Sequence, residues 1–458
     1  MPSDHTPQNA LPSAATEAET ELRRELNLLD CITLVVGSVI GSGIFLVPQS
    51  VARHLPESGL IFGVWLFSGL FALWGGLSYA ELGASMPNTG GAYLYIREAY
   101  GKFWAFLYGW ITFWVVNTGS IATLASAFGI YMSHIIPINP LTQKLFSIGA
   151  ILFLTYINYR GIRSGATTQN ITTFIKVGGL ALLILGGIFF SQKQWSNFQP
   201  FWPDHFSFSI LSNFGLAMVG TLWAFEGWHM MPMAGGEIRS PRRNIPRGMI
   251  TGLILLVCVY FLANFSYLTQ LSIPDMANSP FVAADSAKQI AGQAGALVIS
   301  LVILISVIGA ANSNLMATTR VFFSMAKDGV FFQKVTTVHP VYHSPSFSII
   351  LQGIWACLLT LMVGTFEDLF TFTISASAIF YGVTVGAVFI LRKKYPDMNR
   401  PYKVWGYPIT PALFIIVVTA FVINTTINTL STQPQNVGIF LLILGAGLFA
   451  YRHWTKNR

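Results

Sequence analysis

The sequence predicts an all-α membrane protein whose chain crosses the bilayer twelve times. Hydrophobic residues make up 53% of the 458 residues, charged residues only 10%, and the mean hydropathy is +0.58. Because a soluble domain carries about 25% charged residues, this composition excludes a soluble enzyme, a disordered chain and a fibre. The polar stretch at residues 1–26 is the exception, and we expect it to form a disordered tail.

Twelve apolar runs separated by short polar connections define the predicted spans. Each run is close to the about 20 residues that a membrane helix needs, or longer. The connections between them are too short for a soluble domain. Spans 1 to 12 are predicted at residues 31–51, 59–83, 103–132, 143–159, 169–190, 210–233, 247–270, 294–325, 346–364, 368–391, 408–427 and 436–452.

Lysine and arginine residues lie mostly in the connections on the side of the two termini. The opposite side is predicted to hold only Arg53, Lys144, Lys193 and Lys288. Because positively charged loops face the cytoplasm, we expect both termini to be cytoplasmic in a protein of the cell membrane. The net charge of +8 then reflects membrane topology, and no nucleic-acid partner is expected.

Spans 1 and 6 contain residues that interrupt a helix in the middle of the membrane. Span 1 has three glycines and two serines from Gly37 to Gly43, and span 6 has Glu226-Gly227 followed by Pro232. A lone glycine in a membrane helix is commonly a packing residue. Paired interruptions at corresponding positions, five spans apart, instead indicate the binding site of a transporter.

Two adjacent helix breaks suit a ligand that carries both charges. N–H groups freed at the start of a half-helix favour a carboxylate, and carbonyl oxygens freed at the opposite break suit an ammonium. Glycine and serine allow the ligand to approach the backbone closely. The sequence therefore predicts an α-amino acid as the substrate rather than a sugar, which needs polar side-chain partners.

Five motifs follow one another along the chain: Gly37–Phe45, Ser78–Gly83 with Pro87–Tyr93, Trp223–Trp228 with Glu237–Arg247, Asn312–Arg320, and Arg400–Val404. In this order they resemble the amino acid–polyamine–organocation superfamily, close to its L-amino acid transporter branch. The resemblance extends from Leu26 to Ala450. It implies the leucine-transporter fold, with inverted five-helix repeats at 27–192 and 193–394 and two further helices at 395–458.

The resemblance also implies which residues bind the substrate. The backbone from Ile40 through Gly41 and Ser42 to Gly43 would hold the carboxylate, with the Ser42 hydroxyl beside it. The carbonyls of Trp223, Ala224 and Glu226 would hold the amine, and the Trp223 indole would close over the substrate from outside. The predicted substrate site is completed by Phe225 and by Asn117 of span 3.

Three charged side chains near or within the spans have separate predicted roles. Glu81 and Arg97 lie near span ends, and we expect them to brace the cytoplasmic gate rather than contact substrate. For Glu226, within span 6, three roles stay open: selecting the substrate side chain, titrating, or satisfying backbone amides.

Lys176 in span 5 is the membrane charge with the most specific expectation. In relatives that carry lysine here, the ammonium stands in the place of a sodium ion. It would tie span 5 to carbonyls of span 1 and to polar groups of span 8 near Asn312 and Ser313. Transport would then be independent of sodium. The alternative is that Lys176 extends to the membrane interface.

Together these features predict a sodium-independent secondary transporter of L-amino acids, working as an exchanger by alternating access. A proton-coupled symporter that uses Glu226 or Lys176 is the alternative, followed by a non-transporting sensor. The sequence has no HExxH pattern and no metal spacing among its three cysteines, so no enzymatic activity, cofactor or metal is expected.

The same resemblance bears on partners. Some relatives bind a single-span glycoprotein through a cysteine in the connection between spans 3 and 4. Here that connection, from Ser133 to Lys144, contains no cysteine. We therefore expect the protein to work in the lipid bilayer without such a partner.

Overall fold

The computed structural model describes residues 24–190, 194–362, 366–432 and 434–456, which form sixteen α-helices and no β-strand. Residues 1–23 of the predicted tail lie outside the described residues. The helices are α1 (Leu28–Val39), α2 (Gly43–His54), α3 (Ser58–Ser85), α4 (Ala92–Tyr100), α5 (Lys102–Ile111), α6 (Thr118–Ile135), α7 (Pro140–Tyr159), α8 (Ile162–Phe189), α9 (Phe208–Ala224), α10 (Pro241–Gln270), α11 (Ile273–Asn278), α12 (Val282–Lys327), α13 (Ser346–Met362), α14 (Phe366–Lys394), α15 (Ile409–Thr432) and α16 (Pro434–Lys456).

The helices confirm the prediction of an all-α polytopic membrane protein. Within the described part of the chain, eleven helical segments are long and apolar enough to cross a membrane. The 17-residue apolar helix α13 lies where the ninth span was predicted. Each predicted span therefore has a helical counterpart.

Both predicted helix breaks are present. In span 1, α1 ends at Val39 and α2 begins at Gly43. In span 6, α9 ends at Ala224 and is followed by the 3₁₀ segment Trp228–Glu237. Gly227 joins these two with φ 118°, a left-handed conformation that favours glycine. The extent of the two inverted repeats stays a prediction.

Two irregularities have no counterpart in the predicted spans. Span 3 contains a π-helical segment, Thr112–Asn117, between α5 and α6. Helix α12 is longer than predicted, because it begins at Val282 and bends at Ala291 and Gly292. The charged Asp285 and Lys288 make its first turns too polar to be recognised as part of an apolar run.

Both helix breaks lie inside the helix bundle, since residues 33–45 and 220–235 are all buried. In α1 and α2, 89% of the most apolar stretch is buried inside the protein, whereas in α16 only 6% is buried. Helix α10 packs along α1 and α3, and α12 packs along α6 and α8. This arrangement surrounds the breaks with protein and leaves α15 and α16 at the periphery.

Both described ends of the chain lie on one side of the bundle. Arg24 shares a cavity with Arg97 and Asp328, and the Trp454 ring lies 6.0 Å from the ring of Phe331, three residues after Asp328. We call this the terminal side.

Glu237 and Arg320 form a buried ion pair on the terminal side. They are 0% and 1% exposed, and the guanidinium donates from Nε (3.0 Å) and Nη2 (3.2 Å) to the two carboxylate oxygens. The main-chain carbonyl of Glu237 also accepts hydrogen bonds from the N–H groups of Glu25 and Leu26, both at 2.9 Å. One residue thus links the 3₁₀ segment, α12 and the chain that precedes α1.

Removing Arg320 should strongly destabilise the fold. Arg320→Ala leaves the Glu237 carboxylate buried without its cation, which typically costs about 3–5 kcal/mol. We expect a clearly lower melting temperature for the detergent-purified variant. The exposed Lys102→Ala is the matched control and should melt like the wild type, and Glu237→Gln with Arg320→Met should recover part of the loss. Equal melting temperatures for Arg320→Ala and the control would contradict this.

Candidate functional site

The Lys176 ammonium holds the break in span 1. Its Nζ is buried and donates to the carbonyl oxygens of Gly37 (2.8 Å), Ile40 (2.7 Å) and Ser306 (3.0 Å). The N–H of Gly41, which would bond to Gly37 in a continuous helix, bonds instead to Val39 at 2.8 Å. The ammonium therefore supplies the donor that the break removes, and Lys176 does not extend to the membrane interface.

The partner of Lys176 on span 8 differs from the prediction. Asn312 and Ser313 were expected near the ammonium, but the contact is made by Ser306, almost two helical turns earlier. The Asn312 side chain accepts a hydrogen bond from Asn158 of span 4 at 2.8 Å, and the Ser313 hydroxyl bonds within its own helix. The correction reflects helix register, which the sequence motif does not specify.

The two breaks are packed directly against each other. The Ser38 hydroxyl donates to the carbonyl of Gly227 at 3.1 Å. A Cβ added at Gly43 would lie 2.3 Å from the Cα of Ala224, closer than any two such atoms can approach. Glycine at position 43 is therefore required for the two broken spans to meet.

Tyr260 of α10 joins the ends of the two broken helices. Its hydroxyl lies 3.0 Å from both the Val39 and the Ala224 carbonyl oxygens. These carbonyls belong to the last residues of α1 and α9, where partners within the helix are lost. Sequence reasoning missed Tyr260, because a tyrosine within an apolar span carries no distinctive signal.

A small cavity of about 20 Å³ lies between the breaks. One water molecule needs about 10–15 Å³, so an amino acid fits only if the walls move. Predicted site residues contribute Gly41, Ser42, Gly43, Trp223 and Glu226 to its lining. The lining also includes Ser38, Val39, Ser120, Leu124, Met230 and Asn314.

Several polar atoms of the cavity lining have unused hydrogen-bonding capacity. Within the described part of the chain, Ser42 Oγ, Ser120 Oγ and Asn314 Oδ1 are buried without a hydrogen-bond partner. Leaving a buried polar group unsatisfied costs about 1–3 kcal/mol. The cavity is thus suited to a ligand with several polar groups. Ser120 and Asn314 were not predicted, since single serines and asparagines occur throughout the spans.

Four residues predicted to bind substrate do not line the cavity: Phe225, Ile40, Ala224 and Asn117. The Phe225 ring packs against Tyr260 with 4.9 Å between ring centroids, because the turn after α9 directs it towards α10. The Ile40 N–H, predicted to hold the carboxylate, bonds to the Val36 carbonyl at 2.9 Å, and the Ala224 carbonyl, predicted to hold the amine, faces Tyr260. The Trp223 ring does line the cavity and stacks on Phe370, with 5.9 Å between centroids.

The Glu226 carboxylate belongs to a buried hydrogen-bonded cluster. It accepts from the Tyr381 hydroxyl and, at 3.4 Å, from Ser377 Oγ. His229 Nδ1 lies 2.8 Å from the same Tyr381 oxygen. Because that hydroxyl donates its single proton to the carboxylate, Nδ1 is assigned as the protonated nitrogen.

Asn117 lies beside this cluster rather than in the cavity between the breaks. It ends the π-helical segment and lines a second cavity of about 10 Å³ with Ser377, Tyr381 and His229. Both its side-chain oxygen and nitrogen are buried with no partner among the described residues. Single π-helical turns are frequent at functional sites.

A comparison of the whole chain with known protein families agrees with a polar cavity between two helix breaks. A family model described as "Amino acid permease" matches residues 26–449.

The chain belongs to the amino acid permease family.

Curated relatives of this permease match along nearly its whole length. It is 34% identical over 440 residues to the serine/threonine exchanger SteT of Bacillus subtilis. The matched region covers 95% of this chain and 98% of that protein. It is 30% identical to the b(0,+)-type amino acid transporter 1 of Mus musculus, covering 94% and 88%. The cystine/glutamate transporter of Homo sapiens is 28% identical, covering 95% and 86%. The predicted superfamily is confirmed, and these relatives are transporters, not enzymes.

Further ion pairs on the terminal side of the permease contain the predicted gate residues. The Glu81 carboxylate accepts from Arg392 of α14 at 2.9 and 2.5 Å and from the N–H of Val404 at 2.7 Å. Arg97 of α4 places Nη1 2.8 Å from both carboxylate oxygens of Asp328, just after α12. Glu81 and Arg97 thus connect different helices, and their role in gating stays a prediction.

Bulk at Gly43 should disrupt substrate binding. A side chain there must push the two breaks apart, and overpacking costs about 1–3 kcal/mol. We expect Gly43→Ala to weaken amino acid binding by about tenfold or more and Gly43→Val to abolish it, while both stay monodisperse. Binding to purified protein is measured with a radiolabelled amino acid.

The matched control is Gly178→Ala, because a Cβ at Gly178 has nothing within 4 Å. This variant should bind like the wild type. Normal amino acid affinity in Gly43→Val would show that the breaks do not form the binding site.

Proposed function

We propose that this permease exchanges L-amino acids across the cell membrane by alternating access, without sodium and with both termini in the cytoplasm. The observation that carries the proposal is the pairing of two helix breaks around one polar cavity. The match to a serine/threonine exchanger over 98% of that protein's length supports exchange as the mode of transport.

Both ends of a zwitterion have partners in this proposal. The start of α2 directs backbone N–H groups from Ser42 and Gly43 towards the substrate carboxylate, with the Ser42 hydroxyl beside it. The amine would bind the carbonyl oxygens of Trp223 and Glu226, since the third predicted carbonyl, that of Ala224, faces Tyr260. Because the cavity of about 20 Å³ is smaller than an amino acid, binding must be accompanied by movement of the broken spans.

Sodium independence is supported by the surroundings of Lys176. Three backbone carbonyls around one point, from Gly37, Ile40 and Ser306, are ligands typical of a bound cation. The ammonium already supplies that positive charge, and a second cation would be repelled at such short range. Lys176 would therefore replace a coupling ion rather than bind one.

Proton-coupled symport is the second candidate, favoured by one observation. Glu226 is a carboxylate that lines the substrate cavity, and the described residues place no lysine or arginine against it. Such a group could carry a proton with the substrate. A transport assay with and without internal amino acid distinguishes the two mechanisms.

We further propose that the permease works without a glycoprotein partner. The connection from Ser133 to Lys144 contains no cysteine for a covalent link. By contrast, one relative that is 29% identical, from Oryctolagus cuniculus, is by its name the small subunit of a large neutral amino acids transporter. Purification of the permease alone in active form would support the proposal.

Counterflow in proteoliposomes tests the proposed exchange. Vesicles loaded with unlabelled amino acid should take up labelled amino acid, and empty vesicles should not. Replacing sodium by choline at fixed pH should leave the rate unchanged. Uptake into empty vesicles driven by a pH gradient would indicate the symporter, a strict sodium requirement would contradict the role given to Lys176, and binding without uptake would indicate a sensor.

Trp223 should affect the kinetics of exchange. As a lid, it lines the cavity and stacks on Phe370, so Trp223→Ala should raise KM and lower turnover together. Trp223→Phe should retain most activity, and Trp104→Ala, at a site 50% exposed, should be neutral. Unchanged kinetics in Trp223→Ala would assign the lid to another residue.

A further inference from the structure

A larger cavity, separate from the substrate cavity, opens on the terminal side. Its volume is about 360 Å³, enough for about ten waters at about 30 Å³ each. We call it the terminal-side cavity. Its lining consists of Arg24, Asn88, Thr89, Leu94, Arg97, Gly236, Phe323, Ser324, Lys327 and Asp328.

The lining of the terminal-side cavity is positively charged. It contains three cations, from Arg24, Arg97 and Lys327, and one carboxylate, from Asp328. Both oxygens of that carboxylate lie 2.8 Å from Arg97, and one accepts from Tyr93 at 2.7 Å. The single negative charge is therefore already used by Arg97.

The other two cations have weak partners among the described residues. Arg24 Nη1 lies 3.4 Å from the Ile238 carbonyl, and Lys327 Nζ lies 4.9 Å from the centre of the Phe323 ring. Neither forms a salt bridge within the described part of the chain. Two cations in one cavity without counter-charge attract an anion.

We propose that the terminal-side cavity binds a phosphate-class oxyanion. A guanidinium fork and an ammonium are the side chains that proteins use for phosphate oxygens. The Thr89 hydroxyl and the Asn88 amide are further hydrogen-bond donors in the lining. The source is either a soluble phosphate or the headgroup of an anionic lipid, since both present the same oxygens.

Such an anion would act on the transport cycle through the elements that it joins. Arg24 lies on the chain that precedes the broken α1, and Lys327 ends α12, which contributes Ser306 to the Lys176 site. Gly236 belongs to the 3₁₀ segment of the second break. An oxyanion held between Arg24 and Lys327 would restrain these three elements together and slow opening on this side.

Thermal unfolding of the purified permease tests the site. Potassium phosphate should raise the melting temperature above that in potassium chloride at matched ionic strength and pH. Arg24→Gln and Lys327→Gln should each lose this difference. Lys334→Gln removes an exposed cation outside the cavity and should keep it. Two independent cavity variants keep the test informative if one of them purifies poorly.

Liposomes distinguish the source of the oxyanion. If phosphatidylglycerol vesicles stabilise the wild type relative to phosphatidylcholine vesicles, and Arg24→Gln loses the effect, the headgroup is the ligand. If free phosphate alone does so, the ligand is soluble. A phosphate effect of equal size in the cavity variants and in Lys334→Gln, or no effect of either phosphate or phosphatidylglycerol on the wild type, would overturn the proposal.

Discussion

Backbone groups inside a membrane must find hydrogen-bond partners in the protein, because the bilayer interior supplies none. A helix that stops at Val39 and restarts at Gly43 faces this constraint inside the bundle. The Lys176 ammonium meets it with three charge-assisted hydrogen bonds, each worth about 1.5–3 kcal/mol. These bonds offset the about 2.5–3.5 kcal/mol that a lysine at the bilayer centre costs.

The arrangement around the second break follows from the first. Because carbonyls at the end of α1 are fixed by Lys176, the segment after Val39 has a defined path, and the chain of span 6 can pack against it. Gly43, Ser38 and Tyr260 make that packing possible by close approach and hydrogen bonding. Two serine hydroxyls and an asparagine side-chain oxygen around the cavity have no hydrogen-bond partner among the described residues.

The sequence was sufficient to predict the spans and the two breaks, and the family resemblance placed Lys176 at the first of them. Long apolar runs and mid-membrane glycines are local signals with one physical meaning in lipid. Side-chain direction was less predictable. Phe225 packs against Tyr260, and the span 8 partner of Lys176 is Ser306, because helix register and crossing geometry decide which residues face the break. The π-helical segment that ends at Asn117 has no local sequence signal either, whereas the bend in α12 is made at Gly292, whose φ of 63° favours glycine.

The most direct test of this account is hydrogen–deuterium exchange of the backbone amides around the first break. Mass spectrometry would compare the peptide covering residues 34–45 in the wild type and in Lys176→Met, with a peptide from α15 as the internal reference. Loss of the ammonium should speed exchange in residues 34–45 and leave the α15 peptide unchanged. Equal protection of residues 34–45 in both proteins would show that the break is held without Lys176 and would contradict the account.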